Sequence, residues 1–213
     1  NGNVVVAWES NIHPVTVTGS QYFRQESQIK FRLLKPDGSF ATSTLSQTSP
    51  IGSYAKEPDV VALSDGGFAL IWHESTLQSY SSIKTFVRFF DESGNPTTET
   101  TELTEHSAGV VSEEYTGGAS DVRNVIELEG ISTPEGGIIL VWDALNPDTG
   151  LSEVLWAELD GSAKIVGEVS AVPNVTGTNQ QWAEILSLPS DKYAIFWNED
   201  GNGQNLAIYE NTS

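Results

Sequence analysis

The chain has no cysteine and no methionine, and only 10 lysines and arginines stand against 29 acidic residues among its 213. Without cysteine there is no disulfide framework, no thiolate metal site and no thiol nucleophile. Large bacterial surface proteins are commonly built this way, whereas small secreted domains are usually cross-linked. No apolar run approaches the roughly 20 residues needed to span a bilayer, so membrane insertion is not expected. The net charge of −19 repels phosphate backbones and anionic lipid surfaces, which excludes nucleic acid as a partner. It favours cations, basic partners or neutral glycans, and it keeps a surface soluble. A signal-peptide pattern is missing, as is methionine at position 1, so we expect a mature or excised segment. Helical periodicity is also lacking, since no window of a dozen residues keeps apolar positions at helical spacing.

What is present is a strand that ends in tryptophan and returns four times. It reads Val4 to Trp8, Phe68 to Trp72, Ile138 to Trp142 and Tyr193 to Trp197, each followed by a polar residue: Glu9, His73, Asp143, Asn198. Recurrence at this period marks an array of like supersecondary units. The second copy is the clearest. Pro58 to Leu63 is a short apolar strand, Ser64-Asp65-Gly66-Gly67 a turn, and Phe68 to Trp72 a second strand. Ile83 to Phe90 is a third, Asp91 to Pro96 a second turn, and Thr97 to Thr104 a polar fourth. Short strands jointed by Gly, Asp, Asn and Pro read as an antiparallel meander. In the third copy Val125 to Ile131 takes the place of the first strand, and in the fourth Leu206 to Tyr209 takes that of the third.

The tryptophan strand is apolar on both faces, Phe68, Leu70 and Trp72 on one and Ala69 and Ile71 on the other, so it must be covered on both sides. The fourth strand, rich in Thr, Ser and Glu, suits a solvent-facing edge. An apolar-to-polar gradient repeated in each unit predicts an all-β fold of antiparallel four-stranded repeat units, β-propeller-like, with a β-sandwich as the alternative. The units fall at about 1–50, 51–106, 119–173 and 180–213 within a single repeat domain. Strands of 3, 4, 4 and 3 leave the first and last units incomplete. Other repeats or chains completing the truncated units are therefore expected partners.

At Pro58 to Trp72 and at Ile83 to Gly94 the chain resembles the tryptophan-strand, Asp-Gly-Gly repeats of large secreted bacterial adhesins of the calcium-binding, type-I-exported (RTX) kind. Copy four departs from the pattern, with Asp191-Lys192-Tyr193 where the Gly-Gly turn would stand. The resemblance implies an extracellular, propeller-like module at the cell surface, and it implies no catalytic residues.

Candidate ligand-binding residues come from two places. The first is the tryptophan strand with its polar follower, represented by His73, Trp142 and Asp143, where sugar rings could stack on indole while a carboxylate accepts their hydroxyls. Packing between units explains the same tryptophans, and we prefer it because aromatic residues dominate core burial. The second is a pair of insertions, Asn11 to Gln28 with Tyr22, Phe23 and Arg24, and Glu105 to Asn124 with Tyr115. Binding residues concentrate on such loops, and Tyr, Phe and Arg are typical anchors. Calcium is the one cofactor the chain offers, at Asp200, Asn202 and Gln204, but a hairpin turn explains the same loop and we prefer it. The three histidines are scattered, no serine lies in a Gly-x-Ser-x-Gly turn, and neither an HExxH motif nor a P-loop occurs. The expectation is a non-catalytic extracellular adhesion or structural module with a glycan or protein ligand. A propeller-type lectin is the alternative, and a glycosidase-like propeller enzyme a further one, because 29 acids always supply carboxylate pairs.

Overall fold

A computed structural model describes residues 2–11, 27–47, 54–76, 79–103, 128–146, 149–173 and 177–210. Fourteen strands and no helix are found among them. Sheet I holds β1 (Val4–Asn11), β2 (Ser27–Leu34) and β3 (Leu45–Gln47). Sheet II holds β4 (Tyr54–Ala62), β5 (Phe68–Thr76), β6 (Ser79–Phe90) and β7 (Thr101–Glu102). Sheet III holds β8 (Leu128–Ser132), β9 (Ile138–Leu145), β10 (Ser152–Leu159) and β11 (Ile165–Ala171). Sheet IV holds β12 (Gln180–Leu188), β13 (Lys192–Glu199) and β14 (Gly203–Glu210). Within each sheet neighbours in sequence pair antiparallel, and one parallel pairing, Ser27 with Tyr54, joins sheet I to sheet II.

The sheets stack face to face in chain order. Phe68, Leu70 and Trp72 of β5 bury against Ile29, Phe31 and Leu33 of sheet I. The alternate residues Ala69 and Ile71, with Val87 and Phe89 of β6, bury against Ile138, Leu140 and Trp142 of sheet III. Ile139 and Val141 of β9 then face Tyr193, Ile195 and Trp197 of sheet IV. Every middle sheet is thus covered on both sides, which is why its tryptophan strand carries no polar face. Each sheet has a trailing face toward its predecessor and a leading face toward its successor. The first strands β4, β8 and β12 lie beside one another, and outer strands reach the neighbouring sheet through side chains, as where the Tyr209 ring of β14 lies 5.0 Å from Trp156 of β10. Small antiparallel sheets stacked face to face, with their first strands side by side, make the fold propeller-like.

Aromatic packing anchors the first interface. The Phe31, Phe68 and Phe90 rings form a triangle with centroids 4.9 to 5.5 Å apart, and Trp72 stacks on Phe86 at 5.8 Å. Trp72 is fully buried, and its indole N–H donates to the Glu74 carboxylate at 2.7 Å.

The polar fourth strand is shorter than its sequence suggests. Only Thr101–Glu102 and a bridge between Phe90 and Pro96 pair with β6. Side chains take over in between: the Thr98 hydroxyl accepts from the Phe89 amide at 3.0 Å, and the Arg88 guanidinium donates to the Thr98 carbonyl at 3.0 Å. Thr42, Leu33 and Arg32 repeat the device in sheet I. Threonine competes for ladder hydrogen bonds through its side chain, which the strand pattern alone does not reveal. In sheet III the first strand begins at Leu128, and the expected start at Val125 lies outside the described residues.

Candidate functional site

The meander gives the molecule two unlike ends. At one end lie the tight turns, β2–β3, β4–β5, β6–β7, β8–β9, β10–β11 and β12–β13. They are neighbours in space, since Gly136 approaches Ser64 and Gly161 approaches Gly136. Their geometry comes from the backbone. Gly66 and Gly136 take positive φ of 93° and 87°, and a Cβ on Gly67 or Gly137 would run into the Phe90 or Leu159 carbonyl. Asp65, Asp91 and Asp160 each accept a backbone amide two residues on at 2.8 to 2.9 Å. In sheet IV, Ser190 and Asp191 supply the positive φ instead of glycine, at 65° and 54°.

At the opposite end the strands begin and finish that bracket both long insertions: β1 stops at Asn11 and β2 resumes at Ser27, and β8 resumes at Leu128 after β7. This end is rich in half-buried and buried polar groups. Two first strands bulge here, with register shifts between Lys56 and Asp59 and between Gln181 and Glu184, and with Glu57 and Trp182 at φ of 50° and 57°. A bulge re-aims side chains and breaks the ladder, and such bulges are frequent beside functional sites.

Side chains from one sheet reach the first strand of the next across these bulges. The Asp143 carboxylate accepts the Trp182 amide at 3.0 Å, and the Glu129 carboxylate accepts the Ile185 amide at 3.4 Å. Ser27 donates to the Ala55 carbonyl, and the side chains of Asn179 and Gln180 accept the amides of Ser152 and Val154 at 3.0 and 3.3 Å. Glu9 stands in sheet I where Asp143 stands in sheet III, directly after the tryptophan. Its neighbours are Glu57 and Lys56, at the bulge that matches the one at Trp182.

The electrostatics of the two ends differ as well. Burial, and then the charge of Glu57, push the Glu9 carboxyl above its ordinary value, with Lys56 opposing. Burial also raises Asp59, partly offset by the Val60 amide. The Lys56 ammonium lies 3.7 Å from Glu57. At the turn end Asp37 and Asp91 are lowered, by hydrogen bonds from Ser39 and Asn95. Glu158, raised by burial and by Glu135, is the exception there. Two carboxyls whose charges act on each other, one of them raised toward the protonated form, are the kind of pair that can donate and accept a proton in one cycle.

His73, Trp142 and Asp143 all belong to the insertion end and are all buried, at 0, 3 and 5 % exposure. His73 contacts the Thr85 hydroxyl at 3.1 Å, and Trp142 packs in the core between sheets II and III. Tyr22, Phe23, Arg24 and Tyr115 lie outside the described residues. Asp200 and Asn202 sit exposed in the β13–β14 turn at the same end, and Gln204 is exposed in β14, paired with Asn198. There the Asp200 carboxylate accepts the Asn179 amide group at 2.9 Å, and Glu199 accepts those of Asn202 and Asn205 at 3.5 and 3.2 Å. Among the described residues no group of three or more His, Asp and Glu side chains is placed to hold a metal. Glu9 is in view as the polar residue after Trp8; the residues that sequence reasoning missed are Glu57, Asp59 and Glu129. The signal available for them was register: Asp59, Glu129 and Glu184 pair with Ile71, Val141 and Phe196, each one residue before a tryptophan.

No protein-family profile and no curated protein sequence matches the chain. Among solved structures it is similar to an endo-arabinase from Bacteroides thetaiotaomicron VPI-5482, with 13 % identity, a TM-score of 0.50, and 93 % of this chain matched to 74 % of that one. It also matches a glycosyl hydrolase from Bacteroides ovatus (10 % identity, TM-score 0.31, 100 % of this chain and 82 % of that one). A protein of unknown function from Dyadobacter fermentans DSM 18053 matches as well (10 %, 0.35, 98 % and 76 %). At these identities the likeness is one of fold, carried by the endo-arabinase. It overturns the expectation that the chain is not an enzyme. That expectation rested on missing catalytic motifs, and acid–base chemistry by carboxylates on separate strands leaves no local motif. The adhesion reading gains no support from these structures.

Proposed function

We propose that the chain is a glycosidase-like propeller module that binds a neutral glycan at its insertion end and hydrolyses it there. The observation that carries this reading is the carboxyl pair Glu9 and Glu57 at the junction of sheets I and II, with Glu9 raised by burial and by its partner's charge. Glycoside hydrolysis needs one carboxyl that holds a proton for the leaving oxygen and one carboxylate that serves as base or nucleophile. Glu9 takes the first role and Glu57, beside Lys56, the second. The fold shared with an endo-arabinase makes arabinose-containing polymers the first substrates to try. A net charge of −19 suits an uncharged polymer better than an anionic one, and such polymers are met outside the cell.

The test is release of reducing ends from arabinan and a panel of neutral polysaccharides. Glu57→Gln and Glu9→Gln are each expected to lower turnover by roughly 10²- to 10⁴-fold with the circular dichroism spectrum unchanged. Absence of turnover on the whole panel, or full activity in both variants, would overturn the assignment.

A further inference from the structure

The last sheet repeats, on a face that no other sheet of the described residues covers, the residues with which sheet II docks sheet III. Register makes the match. Val61, Ala69, Ile71, Val87 and Phe89 on the leading face of sheet II are all buried against sheet III, at 5 % exposure or less. Aligned on the tryptophans, their counterparts in sheet IV are Leu186, Ala194, Phe196, Leu206 and Ile208, with the same cross-strand pairings. All five are apolar. Yet Leu186, Leu206 and Ile208 are 53, 52 and 59 % exposed. A contiguous apolar patch of this kind on a polar chain marks an interface.

The polar connectors are repeated as well. Glu129 and Asp143 on the leading side of sheet III accept the Ile185 and Trp182 amides of the next first strand. Their counterparts by register are Glu184 and Asn198, on the open side of sheet IV. Apolar and hydrogen-bonding features thus coincide on one face, in the arrangement that already works between sheets III and IV.

We propose that the leading face of sheet IV is the docking site for a fifth antiparallel sheet of the same repeat type, whose first strand offers free edge amides to Glu184 and Asn198. Its trailing face would carry a large apolar residue, an aliphatic one and a tryptophan at alternate positions, as Phe68, Leu70 and Trp72 do in sheet II. A second copy of this chain fits less well. The strand of sheet I that carries Val4 and Val6 is the counterpart of β5, and among the described residues sheet I has no first strand of its own to meet Glu184 and Asn198. The similar endo-arabinase leaves room for the addition, because the four sheets here match 74 % of that chain.

The absence of cysteine makes a clean probe available: Ile208→Cys in the full chain introduces a unique thiol. Its maleimide labelling rate is compared with that of the same variant carrying a second copy of sheet III (residues 125–173) appended after Ser213. Docking is expected to slow labelling at least about tenfold, independently of protein concentration, and to abolish binding of an apolar dye. Unchanged labelling while the appended sheet is folded, as judged by amide exchange, would overturn the proposal. So would protection of the unextended chain that grows with concentration, which assigns the face to a second copy. If appended sheet III does not fold, sheet II (residues 54–103) is appended instead, and failure of both also overturns it.

Discussion

The two ends of this molecule are made by different means from the same repeat. The turn end is specified by the backbone: positive φ at Gly66 and Gly136, carbonyls packed onto Gly67 and Gly137, and aspartates that bond amides two residues away. The φ values and the aspartate bonds are local to each turn, while the packed carbonyls of Phe90 and Leu159 come from the neighbouring strand of the same sheet. The insertion end is specified by side chains that cross from sheet to sheet, such as Asp143 to Trp182 and Glu129 to Ile185, over separations of 39 and 56 residues. The turn end is closely packed through its glycines, and the desolvated carboxyls Glu9 and Asp59 lie toward the other end. The same division lets one scaffold carry many functions.

The comparison can be broken most severely at the turns. Gly67→Ala and Gly137→Ala each force a Cβ into a backbone carbonyl that no side-chain rotation can clear. Each is expected to cost roughly 3 kcal/mol, the upper range for over-packing, read as a lower urea midpoint. Gly66→Ala, strained only through its φ, should cost less, about 1 kcal/mol. Equal losses at positions 66 and 67 would show that conformation, and not close approach, dominates the turn.

At the insertion end Asp143→Ala leaves the Trp182 amide without its carboxylate, and about 1–3 kcal/mol should be lost. Local opening at β12 should be seen first, as faster exchange of the Trp182 and Ala183 amides while β5 stays protected. Uniform exchange throughout the chain would instead mean that the connector serves the whole fold.

The smallest effects, and the most diagnostic, are those of pH. Asp37 and Asp91 are lowered in the fold, so their contribution is complete above the ordinary aspartate value and is lost as pH falls through their lowered values. Asp59 and Glu9 are raised, so the folded state gains from their protonation and loses stability as pH climbs through their raised values. Asp37→Asn with Asp91→Asn should flatten the acid limb of the urea midpoint against pH. Asp59→Asn should flatten the opposite limb, above the ordinary carboxylate range. Identical profiles for the two variants would dissolve the electrostatic contrast between the ends.

Much of this fold is legible in the residues. The Asp-Gly-Gly turn, the two-faced apolar strand and the terminal tryptophan place β4, β5 and β6, because their signals lie within about ten residues of one another. Thr97 to Thr104 misleads, since threonine side chains replace the ladder that the pattern suggests. The candidate site was hardly legible. Glu9 and Glu57 belong to different repeat units, and the common spacing of Asp59, Glu129 and Glu184 before their tryptophans becomes meaningful only once the strands are paired. The conspicuous residues, Trp142 and Asp143, proved to be buried between sheets.

The sequence by itself determined the strands, the turns, the all-β class and the phase of the repeat, because each follows from backbone preference and side-chain alternation over a few residues. Only the tertiary structure decided which acids become neighbours, which carboxyls lose their water, and which apolar face stays open after Trp197. Those outcomes depend on how one sheet sits against the next, and no local stretch of chain contains that relation.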